Sequence, residues 1–88
     1  MRVLLAEDDE VLAEAVAVGL RREGMAVDIA LDGDDARTRL ALTAYDVVVL
    51  DRDLPGTHGD DICRALVADR SASLVLMLTA ASTVKDRV

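Results

Sequence analysis

Aromatic residues, proline and cysteine are scarce in this sequence. Its 88 residues include one aromatic side chain, Tyr45, one proline, Pro55, and one cysteine, Cys63. A single cysteine excludes an intramolecular disulfide, and we expect Cys63 to pack as a small hydrophobic residue. Because 52% of the residues are hydrophobic and almost none are aromatic, the core must be built from Val, Leu and Ala.

Positive charge and long apolar runs are also scarce. Ten basic residues stand against seventeen acidic ones, which gives a net charge of -7. An acidic surface opposes contact with a phosphate backbone, so we expect this segment not to bind DNA itself. The apolar run from Val3 to Ala6 is too short for a signal peptide or a membrane span. These features favour a soluble, cytoplasmic domain with no membrane contact.

Apolar runs alternate with amphipathic segments along the chain. "RVLLAEDD", "YDVVVLD" and "SLVLMLTA" predict strands, "AVDIAL" predicts a weaker one, and "STVKDRV" predicts the start of a fourth helix. The apolar residues at helical spacing in the first three helices are Leu12, Val16 and Leu20, then Ala36 and Leu40, then Ile62 and Leu66. Alternating strands and helices with short connections predict an α/β fold with a parallel sheet covered on both faces.

Hydrophilic residues follow three of the four predicted strands. Glu7 and Asp8 follow the first strand, Asp51 ends the third and Thr79 follows the fourth. The carboxyl ends of parallel strands meet at one edge of the sheet, where ligands of open α/β sheets bind. Any one of these acids is also explained as a helix cap or a solvated turn, and either Asp8 or Asp9 could cap the first helix. The joint pattern nevertheless favours a site. Crowded carboxylates favour a cation, and oxygen ligands suit Mg²⁺.

Three segments, "VLLAEDD", "VVVLDRDLPGTHG" and "VLMLTA", together resemble the receiver domains of two-component response regulators. The resemblance is strongest to receivers that precede a winged-helix DNA-binding domain, the OmpR/PhoB-like class, and it covers the whole chain. It implies a flavodoxin-like doubly wound parallel sheet with strand order 2-1-3-4-5. Pro55 and Gly59 match the loop that follows the phosphorylated strand in this family.

The resemblance also implies a role for each residue of the predicted site. Asp51 corresponds to the phosphoacceptor and is also expected to bind the metal. Asp8 corresponds to a direct Mg²⁺ ligand, and Glu7 to a second acid that reaches the metal, often through water. Asp53 corresponds to the residue whose backbone carbonyl binds the metal. Two further positions are the hydroxyl that turns toward the phosphoryl group and the small residue that keeps access to it open, Thr79 and Ala80.

One feature of the family is missing from these 88 residues. The family's lysine lies at the end of a fifth strand, whereas Lys85 falls within the predicted fourth helix. We therefore expect residues 1–88 to be a receiver domain that is incomplete at its C-terminus, without the fifth strand, the last helix and any effector domain. The apolar strand "SLVLMLTA" is then expected to have an open edge.

The function implied by the resemblance is a phosphorylation-dependent signalling switch. A sensor histidine kinase passes a phosphoryl group to Asp51 with Mg²⁺, and a conformational change reaches an output, the regulation of transcription. Such a domain is a regulatory phosphoacceptor, not an enzyme, beyond self-catalysed transfer and slow autodephosphorylation. The expected partners are the kinase, a second copy on phosphorylation, and DNA only through an effector domain.

Two other interpretations remain open on the sequence. "DRD" resembles the DxD motif of haloacid-dehalogenase-like phosphatases, with Asp51 as nucleophile and Asp53 as general acid. Against this, Pro55 replaces the Thr or Val of that motif, and the chain has no room for the later motifs. The other interpretation is a phosphorylation-independent interaction module whose site has lapsed. The presence of Glu7, Asp8, Asp51 and Thr79 together opposes it, and the missing lysine keeps it open. His58, in the loop that follows the third predicted strand, is expected to be solvated.

Overall fold

A computed structural model of the chain describes residues 1–78 as a parallel sheet with helices on both faces. The elements are β1 (Arg2–Ala6), α1 (Glu10–Arg22), β2 (Ala26–Ala30), α2 (Gly33–Leu42), β3 (Val47–Asp51), α3 (Gly59–Ala68) and β4 (Leu74–Leu78). The strand order is β2-β1-β3-β4 and every pairing is parallel. The α/β class and the first four strands of the expected order are therefore confirmed. Thr79, Ala80 and the predicted fourth helix lie outside the described residues.

Apolar residues alternate along the strands, so each face of the sheet carries its own core layer. The layer under α2 and α3 contains Leu4, Ala6, Ala30, Ala36, Tyr45, Val48, Leu50, Leu54 and Ile62. The layer under α1 contains Val3, Leu5, Ala13, Ala17 and Val27. β1 and β3 are the two inner strands of the described sheet. In the described part of the chain, none of the helices has the length and apolar character that crossing a bilayer requires.

The predicted helix faces are confirmed for α2 and α3 but not for all of α1. Ala36 and Ile62 are buried, as their spacing predicts. In α1, however, Ala13 and Ala17 face the sheet, while Leu12 is 46% exposed. The buried face is rotated by one position because alanines let the helix approach the strands closely, and the larger side chains then lie at its margins.

Aspartates begin two of the helices. The backbone N–H of Leu12 donates to Asp9 Oδ1 at 3.1 Å, and that of Asp35 donates to Asp32 Oδ1 at 2.7 Å. Both contacts satisfy N–H groups that have no partner within the helix. Asp9 is thus the cap of α1, one of the two residues that the sequence allowed for this role. Asp8, the other, remains free for the carboxyl edge of the sheet.

The last described strand is covered unevenly. Val75 and Met77 pack against the layer under α2 and α3. On the other face, Leu74, Leu76 and Leu78 are between 41% and 59% exposed. Within residues 1–78, α1 packs over β1 and β2 and leaves this face of β4 partly exposed.

Arg70, in the turn between α3 and β4, gives the first test. Its φ is 54°, in the left-handed region where a side chain costs roughly 1 to 2 kcal/mol. Glycine removes this conformational cost, but its greater freedom in the unfolded chain offsets part of the gain. We therefore expect Arg70→Gly to raise the free energy of unfolding by about 0.5 to 1 kcal/mol. Asp69→Gly is the matched control and should destabilise, because Asp69 has a φ of -80°. Urea unfolding of both variants measures this, and equal effects would contradict it.

Candidate functional site

Three carboxylates meet at the carboxyl edge of the sheet. β1 pairs with β3 so that Ala6 lies beside Leu50, which places the residues after β1 next to the last residue of β3. One carboxylate oxygen from each of Glu7, Asp8 and Asp51 lies within 4.8 Å of the other two. Glu7 is buried, Asp51 is half-buried and Asp8 is exposed. The three carboxylates therefore form an acidic group that is closed on the core side and open to solvent.

Glu7 is held in place by the sheet, and its surroundings change its proton affinity. Its backbone N–H donates to the carbonyl of Ala30 at 2.9 Å, which continues the pairing of β1 with β2. Burial raises the pKa of Glu7 from 4.5 to about 7, and its hydrogen bonds with the side chains of Asp51 and Asp8 add to the rise. The backbone N–H of Asp9, which donates to Glu7 Oε2 at 3.3 Å, acts in the opposite direction. Without a cation, this group of acids therefore retains a proton near neutral pH.

The chemistry of this group fits a small divalent cation. Mg²⁺ binds oxygen ligands at about 2.1 Å, so two oxygens on one ion lie at most about 4.2 Å apart. The oxygens of Glu7, Asp8 and Asp51 lie within 4.8 Å of one another, which is close to that limit. A cation would also replace the proton that Glu7 retains.

The backbone around Asp51 is fixed by the start of α3. A Cβ atom at Gly59 would lie 2.5 Å from the carbonyl oxygen of Asp51 and 3.1 Å from the Cα of Arg52. Only glycine allows so close an approach, and the N–H of Gly59 also donates to the carbonyl of Arg52 at 3.3 Å. Gly59, which the sequence identified only by resemblance, thus has a physical role in fixing the end of β3.

Asp53 contributes its backbone at this site, while its side chain is exposed. Its N–H donates to Asp51 Oδ1 at 3.2 Å, a turn in which an aspartate side chain accepts from the residue two positions later. This hydrogen bond was not predicted from the sequence, although the spacing of Asp51 and Asp53 in "DRD" is the signal for it. Thr79 and Ala80, the other predicted site residues, lie outside the described residues. His58 is exposed, as expected.

Comparisons with known proteins agree with this geometry. Residues 3–88 match the family described as the response regulator receiver domain. The chain is 59% identical over 88 residues to the transcriptional regulatory protein CutR of Streptomyces coelicolor, covering all of this chain and 41% of CutR. It is 44% identical over 88 residues to the response regulator protein PmrA of Pseudomonas aeruginosa, covering all of this chain and 40% of PmrA.

A solved structure shows the same fold. The response regulator TrrA of Thermotoga maritima, in complex with Mg²⁺ and BeF, superposes with a TM-score of 0.84 at 26% identity, over 99% of this chain and 76% of that one. The chain belongs to the response regulator receiver domain family, a class of phosphoryl-accepting signalling switches, and its relatives include transcriptional regulators. It spans about two fifths of the length of the curated relatives named above.

The raised pKa of Glu7 predicts how stability depends on pH. Glu7 ionises near pH 4.5 when unfolded and near 7 when folded, so between these values the folded state holds the extra proton. In the absence of divalent cations, the free energy of unfolding should therefore fall as pH rises from 5 to 7.5, by about 2 to 3 kcal/mol from this group.

Glu7→Gln is the variant that checks this pH dependence. It carries no ionisable group at position 7 and should lose that part of the slope. Urea unfolding at several pH values in EDTA, on wild type and Glu7→Gln, gives the comparison. Parallel pH profiles for the two proteins would show that Glu7 is not the group that titrates.

Proposed function

We propose that Asp51 accepts a phosphoryl group from a phosphohistidine of a sensor kinase. The Mg²⁺ required would be held by the carboxylates of Glu7, Asp8 and Asp51 and by the Asp53 backbone carbonyl. The observation that carries this proposal is the convergence of Glu7 and Asp8 on Asp51 at the carboxyl edge of the sheet, with oxygens within 4.8 Å. Family membership over residues 3–88 supports it. On this proposal the chain is a regulatory phosphoacceptor, not an enzyme that turns over a metabolite.

The reaction forms one bond and breaks one. A carboxylate oxygen of Asp51 attacks phosphorus, the P–O bond forms, and the P–N bond to the kinase histidine breaks. Asp51 Oδ1 accepts from the N–H of Asp53, which orients the carboxylate and leaves its second oxygen for the attack. Bound Mg²⁺ supplies the positive charge that lets two anions approach. Gly59 keeps the Asp51 backbone from shifting as the bond forms.

The signal follows from the charge that phosphorylation adds. An acyl phosphate brings about two negative charges and new hydrogen-bond acceptors to the edge of the sheet. By resemblance to the family, the Thr79 hydroxyl turns toward the phosphoryl group and Ala80 leaves room for it. Such a local charge change can bias an element with two arrangements. We propose that the output is the regulation of transcription through an effector domain, with pairing of two phosphorylated copies.

The phosphatase alternative is not favoured. A general acid has to lie within hydrogen-bond reach of the proton that it transfers. The Asp53 side chain is exposed and does not belong to the group formed by the other three carboxylates. The family match also argues against this alternative and against an interaction module that has lost its site.

Phosphorylation of Asp51 is the direct test. Incubating the full-length protein with Mg²⁺ and either its phosphorylated kinase or acetyl phosphate should add one phosphoryl mass that hydroxylamine removes. Asp51→Asn should abolish this mass, because an amide cannot form the acyl phosphate. Asp53→Asn is the matched control two residues away and should still be phosphorylated, with a changed rate of loss. Steady hydrolysis of a small phosphoester that Asp53→Asn destroys would instead favour the phosphatase.

Binding of Mg²⁺ is tested separately through stability. A ligand that binds only the folded state stabilises it, by about 2.7 kcal/mol at a hundredfold excess over its dissociation constant. Added Mg²⁺ should raise the melting temperature of the wild type, and Asp8→Asn should remove the response. Asp9→Asn is the control, since asparagine also caps a helix and Asp9 is already occupied with Leu12. An equal response in Asp8→Asn and wild type would exclude Asp8 as a ligand.

A further inference from the structure

The loop that follows Asp51 is hydrogen-bonded to the first turn of α2. This loop, residues 52–58, joins β3 to α3 and contains Asp53. The N–H of Gly33 donates to the carbonyl of Pro55 at 2.8 Å, and Thr57 Oγ1 donates to Asp34 Oδ1 at 2.7 Å. Two successive residues of the helix thus hold two residues of the loop, one through the backbone and one through side chains.

The fit between helix and loop is close. A Cβ atom at Gly33 would overlap the carbonyl group of Thr57, so no larger residue fits there without separating the two segments. Gly56 has a φ of +77°, and a Cβ atom there would lie 2.9 Å from Asp34 Oδ2. The loop therefore lies against the start of α2 at two glycines, and the hydrogen bond between Asp34 and Thr57 lies between these contacts.

The loop is restrained at its other end as well. Gly59 follows Thr57 by two residues and lies against the carbonyl of Asp51, as described above. Leu54 within the loop is fully buried in the layer under α2 and α3. The contacts with α2, the burial of Leu54 and the approach of Gly59 together restrain the path of residues 52–58, which include Asp53.

We propose that Gly33, Asp34, Pro55 and Thr57 form a latch that positions the Asp53 backbone for metal binding. Asp34 and Thr57 act as positioning residues: they lie outside the carboxylate group and set the affinity for Mg²⁺ through the loop. This inference rests on the proposed function. It assigns α2, which carries none of the predicted site residues, a role at the phosphorylation site.

If the latch positions the metal site, breaking it should lower the affinity for Mg²⁺ without changing the phosphorylation rate at saturating Mg²⁺. Thr57→Val keeps the shape of the side chain and removes the hydroxyl, and Asp34→Ala removes the acceptor. Each should raise the Mg²⁺ concentration for half-saturation by about three- to tenfold, the range that one hydrogen bond allows. At saturating Mg²⁺ the phosphorylation rate should stay within about twofold, because Asp51 itself is unchanged. The double variant should lose no more affinity than either single one.

The chain offers controls for both changes. Thr38 Oγ1 donates to the backbone carbonyl of Asp34 at 3.1 Å within α2 and does not reach the loop, so Thr38→Val should leave Mg²⁺ binding unchanged. Asp34→Asn retains an oxygen acceptor and should keep most of the wild-type affinity. Titration of the full-length protein with MgCl₂ by calorimetry measures all variants.

Hydrogen exchange at the Gly33 amide provides a readout that does not depend on the metal. Its bond to Pro55 should open more often in Thr57→Val than in Thr38→Val, so exchange should be faster only in the former. Unchanged Mg²⁺ affinity and unchanged Gly33 exchange in Thr57→Val would overturn the latch. A wild type that takes up no Mg²⁺ would instead overturn the proposed function, and faster Gly33 exchange in Thr57→Val would still identify the latch itself.

Discussion

The parallel pairing of β1 with β3 is the constraint on which the site depends. It aligns two strand ends so that acids from distant parts of the sequence share one small volume. Like charges at this spacing repel, and the burial of Glu7 makes its ionisation costly, as the rise of its pKa to about 7 shows. The fold therefore holds an arrangement of carboxylates that is unfavourable on its own and whose oxygens are suited to a divalent cation.

The segments around the acids resist this repulsion. Gly59 brings α3 against the backbone of Asp51, and Gly33 brings α2 against the loop that follows it. Both contacts use glycine because the neighbouring backbone leaves no space for a Cβ atom, not because the helices need flexibility. Larger side chains at either position would widen the gap and release the loop. Tight backbone packing at these two glycines thus holds the segments that carry and flank Asp51.

The rest of the domain supports the two central strands. On one face, Ala13 and Ala17 let α1 lie close to β1. On the other, Tyr45, the single aromatic residue, is buried and donates from its hydroxyl to Asp28 Oδ2 at 2.7 Å. That bond satisfies the buried phenol and links the segment before β3 to β2. Burial, together with this hydrogen bond, raises the pKa of Tyr45. The two central strands thus lie in an aliphatic core whose one aromatic hydroxyl is hydrogen-bonded.

The sequence alone determined the alternation of strands and helices, the α/β class and the identity of the acids. The spacing of apolar residues and the residue types at strand ends are local properties of the chain. It also favoured the strand order, through resemblance. Tertiary structure decided which face of α1 is buried, that Glu7 and not Asp8 is the buried acid, and that Asp34 reaches Thr57. These outcomes depend on how closely backbones approach and which segments meet across the sheet, and no local pattern encodes such distances.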